Sequence, residues 1–185
     1  MISLRIPNSF TKLANSIRLI IRLWSLSIIL LSIPLHADDS PENLLLNTWQ
    51  VPFDYSSKAL DYLHTPIINS REPWHLCALY PHLKDPYWLG VNYGMVSEAQ
   101  RLGIKLTILE AGGYPQTQNQ LLQIQQCVDQ QADAIIVGTV SYTGLQQTIM
   151  QVAKHTPVIA AINDISDPGI SAKVGVSWYT MGLVV

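Results

Sequence analysis

The sequence predicts an α/β domain built on a doubly wound parallel sheet. Two observations carry this. Short runs that are apolar throughout, with no alternation, recur from residue 74 onward, and stretches with apolar residues at helical spacing separate them. Strands buried on both faces read as continuous apolar runs, and helices that alternate with them cover the sheet from both sides.

The elements follow in order. Residues 74–80 (WHLCALY) form an apolar run ended by Pro81. A helix comes next: Trp88, Val91, Met95, Ala99 and Leu102 recur at intervals of three and four, one apolar stripe. Asp85 and Pro86 supply its N-cap and first-turn proline, and Gly103 closes it. Residues 104–110 (IKLTILE) read as a strand, followed by the loop 111–115. The glutamine-rich stretch 116–131 reads as a helix with Leu121, Ile124 and Val128 on one face. Residues 133–138 (DAIIVG) give a strand, 144–154 a helix, 157–162 (PVIAAI) a strand and 173–177 (KVGVS) one more. Right-handed crossovers then predict the strand order 2-1-3-4.

Upstream, residues 1–37 contain no Asp or Glu but carry Arg5, Lys12, Arg18 and Arg22, followed by the uncharged apolar run 23–33. Pro34 breaks the run and Ala37 offers a small residue for cleavage, the pattern of a secretory signal peptide. The run is shorter than the ~20 residues that a membrane span requires, so the membrane enters only through export. Leu35 is larger than the residue usual two places before cleavage. Removing this leader leaves seven Lys and Arg against thirteen Asp and Glu, a balance of −6. A chain of that charge lacks the basic patch that nucleic-acid binding requires. Residues 38–72 have no sustained period and read as an N-terminal extension packed on the domain, with one short hairpin or helix. Residues 73–168 form the first lobe.

Ligands of doubly wound sheets bind beyond the carboxyl ends of the strands. That rule selects the loops 81–86, 111–115, 139–143 and 163–168. The strand ends carry Asp85, Tyr87 and Trp88, then Tyr114, then Trp178. An aromatic-lined cleft with few polar groups suits a methylated ammonium group, each ring face contributing ~0.5–2 kcal/mol. Each residue also has a plainer reading. Asp85 is a helix cap, and Trp88 opens the apolar stripe of its helix. Tyr114 follows two glycines in a loop, where packing gives a large ring little reason to stand. His64, His75, His82 and His155 form no metal or catalytic set, and no nucleophile–base pair is visible. Gly112 and Gly113 lack the G-x-G-x-x-G spacing of a dinucleotide site. The chain reads as a binding protein without cofactor or metal, not an enzyme.

Cys77 lies in the first strand and Cys127 near the end of the second helix. The crossover from the second strand to the third passes over the first, which brings that helix against Cys77. A disulfide fits this placement in an oxidising compartment, and two buried thiols fit it as well.

The stretch Leu76-Cys77-Ala78-Leu79-Tyr80-Pro81, then Leu83-Lys84-Asp85, Tyr87-Trp88 and Asn92-Tyr93-Gly94-Met95, resembles the type I periplasmic binding proteins, and within them the branch that senses trimethylamine N-oxide. Leu109-Glu110-Ala111-Gly112-Gly113-Tyr114, Gln126-Cys127, Val174-Gly175-Val176, Trp178 and Met181-Gly182 carry the same resemblance. It implies a two-lobed, non-catalytic protein that binds trimethylamine N-oxide between its lobes and docks on the periplasmic sensor domain of a histidine kinase. Tyr87, Trp88, Tyr114 and Trp178 would box the trimethylammonium end, with Asp85 a polar neighbour. It also implies that the chain crosses between lobes near 166–172. Residues 169–185 would then hold the crossover and the start of a second lobe, almost all of which the sequence lacks. Ser177 stands where this branch would have proline. The competing expectation is the substrate-binding component of an importer for a sugar or other small solute. Sugar sites of this fold use several Asp, Asn and Arg, and Arg71 and Arg101, the arginines beyond the leader, both fall outside the cleft loops.

Overall fold

The computed structural model describes residues 43–49, 56–176 and 182–183. The leader 1–37 and Trp178 lie outside the described residues.

The first described elements are two strands, β1 (Leu44–Thr48) and β2 (Leu60–His64), paired antiparallel with Leu45 opposite Leu63 and Leu46 opposite Tyr62. Their apolar side chains remain exposed on both faces. The following segment is tied to the lobe by polar contacts instead: the Arg101 guanidinium donates to the carbonyls of Ile67 and Ile68 at 2.7 and 3.2 Å.

The lobe is built from β3 (His75–Tyr80), α1 (Pro86–Leu102), β4 (Lys105–Glu110), α2 (Thr117–Asp129), β5 (Ala134–Val137), α3 (Gln146–Val152), β6 (Val158–Ala161) and β7 (Ala172–Val174). The five strands from β3 to β7 make one parallel sheet in the order β4-β3-β5-β6-β7, whose first four members follow the predicted 2-1-3-4. Alternate side chains of β3 enter opposite layers. Cys77 and Leu79 join Ile124, Ile135, Val137 and Ile149 on the α2–α3 face. Ala78 and Tyr80 join Trp88, with Val91 and Met95 of α1 packed against them.

Local chemistry sets the boundaries. The Asp85 carboxylate caps α1 by accepting from the Trp88 backbone N–H at 2.9 Å. Gly103 ends it at φ 65°, with the Ile104 N–H returning to the Ala99 carbonyl. Helix α2 ends the same way, although the left-handed position is held by Gln131 at φ 56°, a residue that gives no sequence signal for it. Helix α3 is shorter than the predicted 144–154. Its start is a turn in which the Gln146 N–H bonds the Thr143 carbonyl, and the chain after Val152 closes in turns before Pro157.

One expectation needs correction. The strand predicted at 173–177 is Ala172–Val174, and it does not open a second lobe. It hydrogen-bonds β6 in parallel, Ala160 opposite Lys173, and so belongs to the first sheet. The residue pattern predicted only a strand at 173–177; its place at the start of a second lobe was what the family resemblance implied, and the pairing with β6 is what differs.

Cys77 and Cys127 are bonded, with Cα atoms 5.8 Å apart and both residues fully buried. The bridge fastens α2 to the central strand β3.

Candidate ligand-binding site

At the carboxyl ends of β4, β5 and β6 lies an open cleft of about 250 Å³ lined by Tyr114, Thr139, Val140, Ser141, Tyr142, Asn163 and Asp164. Its lining comes from three of the four loops that the topology rule selected, 111–115, 139–143 and 163–168; the loop 81–86 contributes none of it.

Tyr114 is about half exposed. Glycines carry the chain into it: Gly112 and Gly113 take φ of 97° and 141°, backbone that side-chain-bearing residues rarely adopt. The loop is pinned by Lys84, whose ammonium donates to the Gly112 carbonyl at 3.0 Å, and by the Gly113 N–H on the Pro81 carbonyl at 2.8 Å. The Tyr114 hydroxyl accepts from the Trp88 indole N–H at 3.3 Å and lies 3.5 Å from the Asn163 side-chain nitrogen. The His82 ring meets Tyr114 edge-on at 5.5 Å, and His82 Nε2 stands 3.6 Å from the Asp85 carboxylate.

Trp88 is 1% exposed. Its ring packs against Tyr80 at 5.6 Å and edge-on against Tyr87 at 6.1 Å. A Cβ at Gly138 would collide with it, so the end of β5 must be glycine for the indole to fit. Trp88 thus stands behind Tyr114, its one polar atom engaged by the Tyr114 hydroxyl. Asp85 caps α1 and contacts His82. Tyr87 is partly buried, and burial, with Tyr114 nearby, raises its phenol above the ordinary value. Burial pushes Tyr80 up to about 12. Both phenols therefore stay neutral at ordinary pH. The structure brings Asp85, Tyr87, Trp88 and Tyr114 into one cluster; Trp178 lies outside the described residues.

Sequence reasoning missed the polar half of the site. Gln120, fully buried in α2, donates to the Gly138 carbonyl at 3.0 Å and accepts from the Val140 N–H at 2.9 Å, bracing the loop after β5. It precedes Ile124 by four residues and Cys127 by seven, so its place on the buried face was legible from spacing. Asn163 donates to the Thr139 carbonyl at 2.8 Å and joins two of the cleft loops. Tyr142 and Asp164 complete the lining, and their only sequence signal is their place in loops beyond strand ends.

A parallel sheet with helices on both faces and a cleft at the strand ends, walled by aromatic rings and amide groups, is the architecture of a solute-binding lobe. The chain belongs to the family described as periplasmic binding proteins and sugar binding domain of LacI family, which matches residues 73–183. It is similar to the periplasmic protein TorT of Escherichia coli strain K12, 46% identical over 120 residues, which are 64% of this chain and 34% of TorT. The chain thus spans about a third of the length of the curated relatives it matches. Among solved structures, an ABC transporter solute binding protein from Bradyrhizobium with bound bis-Tris is 43% identical, with a TM-score of 0.72, over 79% of this chain and 44% of the other. TorT in complex with the TorS sensor domain, in the presence of TMAO, is 46% identical, with a TM-score of 0.55, over 59% of this chain and 38% of the other.

Proposed function

We propose that this chain is the first lobe of an exported sensor that binds trimethylamine N-oxide and signals to the periplasmic sensor domain of a histidine kinase. The observation that carries the reading is the cluster of Tyr87, Trp88 and Tyr114 at the strand ends, with Tyr114 open to the cleft. Neutral aromatic groups attract a methylated, positively polarised nitrogen and ask for no counter-charge. The Tyr114 hydroxyl and the Asn163 amide supply the polar edge that an N-oxide oxygen requires. In this reading Asp85, Tyr87, Trp88, Tyr114 and Trp178 form the ligand set: Tyr114 faces the cleft, the buried Trp88 acts through its bond to the Tyr114 hydroxyl, and Trp178 comes from the segment after β7. The leader is cleaved near Ala37, which intact mass of the secreted chain would test. The solved TorT complex with the TorS sensor domain in the presence of TMAO supports the choice of ligand and partner.

A second reading, the substrate-binding component of an importer, draws on the Bradyrhizobium relative, which is a transporter protein and holds bis-Tris, a tertiary amine. Titration calorimetry with trimethylamine N-oxide and with a panel of sugars, alongside co-elution with a purified TorS sensor domain, separates the two. Binding of the N-oxide with co-elution supports the sensor. Binding of a sugar and no effect of the N-oxide sinks it.

A further inference from the structure

The chain leaves β6 through an unusual turn. Ile162 sits at φ 70°, and the Asn163 N–H folds back to the Ala161 carbonyl at 2.8 Å, closing a three-residue turn around it. A β-branched residue in this region is a true outlier, and such turns persist only where their surroundings over-determine them. The consequence lies in the cleft. The turn delivers Asn163 directly after the strand, with its amide on the Thr139 carbonyl and beside the Tyr114 hydroxyl.

What holds the turn comes from the neighbouring strand. The Ile162 N–H donates to the Val174 carbonyl at 2.8 Å. Gly175 lies against the same backbone, where an added Cβ would stand 3.2 Å from the Ile162 carbonyl oxygen. Immediately before Val174 in β7 is Lys173, whose side chain is only 12% exposed. Its ammonium reaches Asp164 at 3.1 Å, Asp167 at 2.7 Å and the carbonyl of Ile165. Burial pulls its pKa down, and the hydrogen bonds of Asp167 and Asp164 outweigh that, so the net shift is upward. A charged, nearly buried amine that gathers two carboxylates and a carbonyl of one loop fixes that loop as a unit.

We propose that Lys173 is a positioning residue for ligand binding: from the sheet edge it clamps the loop after β6, maintains the turn at Ile162 and so aims the Asn163 amide into the cleft. The functional half of this statement rests on the reading of the cleft as the ligand site; the positional half does not. Lys173→Met keeps the aliphatic stem and removes the charge, while Asp164 and Asp167 are exposed enough to be solvated once released. The test is the side-chain amide resonance of Asn163 in nitrogen–proton spectra of the full chain, read with the affinity for trimethylamine N-oxide. In Lys173→Met the amide should shift toward its random-coil position, and affinity should fall by about tenfold or more, as expected for losing charge-assisted hydrogen bonds. Lys173→Arg should recover most of both. If Lys173→Met does not fold, Asp167→Asn should move the same resonance in the same direction. An Asn163 amide that stays in place in a folded variant overturns the proposal. If the unaltered chain binds no trimethylamine N-oxide, the proposed function fails, and the amide resonance still decides whether Lys173 positions Asn163.

Discussion

The indole N–H of Trp88 donates to the hydroxyl of Tyr114 across 3.3 Å and joins the first turn of α1 to the glycine loop after β4. Trp88 is buried and Tyr114 is half exposed, so the bond runs from the core to the cleft surface. At 3.3 Å it is long for a neutral hydrogen bond, and its value is directional. With its oxygen accepting from Trp88, the Tyr114 hydroxyl has its own proton available for a ligand.

That arrangement depends on the absence of a side chain at Gly138, where a methyl group would overlap the Trp88 ring. Gly138→Ala should destabilise the lobe by roughly 1–3 kcal/mol, the usual cost of overpacking. Urea denaturation followed by tryptophan fluorescence measures this.

Gln120 satisfies the Gly138 carbonyl and the Val140 N–H from inside the core. Gln120→Leu would leave both groups short of a partner at a cost of about 1–3 kcal/mol each, less where water enters. Hydrogen exchange at the Val140 amide should accelerate more than exchange in β3, because the loop after β5 loses its brace first.

The Cys77–Cys127 bridge closes a separation of 50 residues between β3 and α2. The chain-entropy account gives about 4 kcal/mol for a loop of that size. Cys77→Ala combined with Cys127→Ala should lower stability by an amount of that order. Because both residues are fully buried, a thiol reductant should cleave the bridge in the native chain only at the rate of opening. Mass spectrometry of alkylated samples against denaturant concentration reads this out.

Tyr80 supplies the pH dependence. Burial raises its phenol from 10.0 to about 12. Its contribution is fully present below pH 10, where folded and unfolded chains are both protonated. Between pH 10 and about 12 the unfolded chain loses the proton while the folded chain keeps it. Stability therefore declines as pH rises through that window, by on the order of 2 kcal/mol. Tyr80→Phe should remove this part of the alkaline decline, while at neutral pH it loses only the hydroxyl's bond to the Met95 sulfur at 3.1 Å, a cost of about 1 kcal/mol.

The sheet was legible because its strands are buried on both faces and therefore apolar throughout, as in residues 74–80. The first helix was legible at both ends, since Asp85-Pro86 and Gly103 are capping residues with specific geometry. The second helix stops at Gln131 in a left-handed conformation imposed by the return of the Ala132 N–H to Cys127, a tertiary choice that composition does not announce. At the site, large rings at strand ends drew attention to Tyr87, Trp88 and Tyr114. Spacing also assigned Trp88 to the apolar stripe of α1, and burial follows that assignment. The amide groups of Gln120 and Asn163 were not singled out because glutamine and asparagine carry no pattern of their own; their roles depend on which carbonyl lies opposite. The turn at Ile162 was invisible for the same reason, since it is set by β7.

The most direct test of the account is the indole nitrogen–proton resonance of Trp88, assigned by its loss in Trp88→Phe, during titration with trimethylamine N-oxide and with glucose. A ligand that takes the Tyr114 hydroxyl proton or packs on this cluster must change the bond between the two residues. A saturable shift of the Trp88 resonance with trimethylamine N-oxide, and none with glucose, is the predicted result. A Trp88 resonance that stays fixed at saturating trimethylamine N-oxide, or that moves only with the sugar, would contradict the assignment of this cleft to a methylated amine oxide.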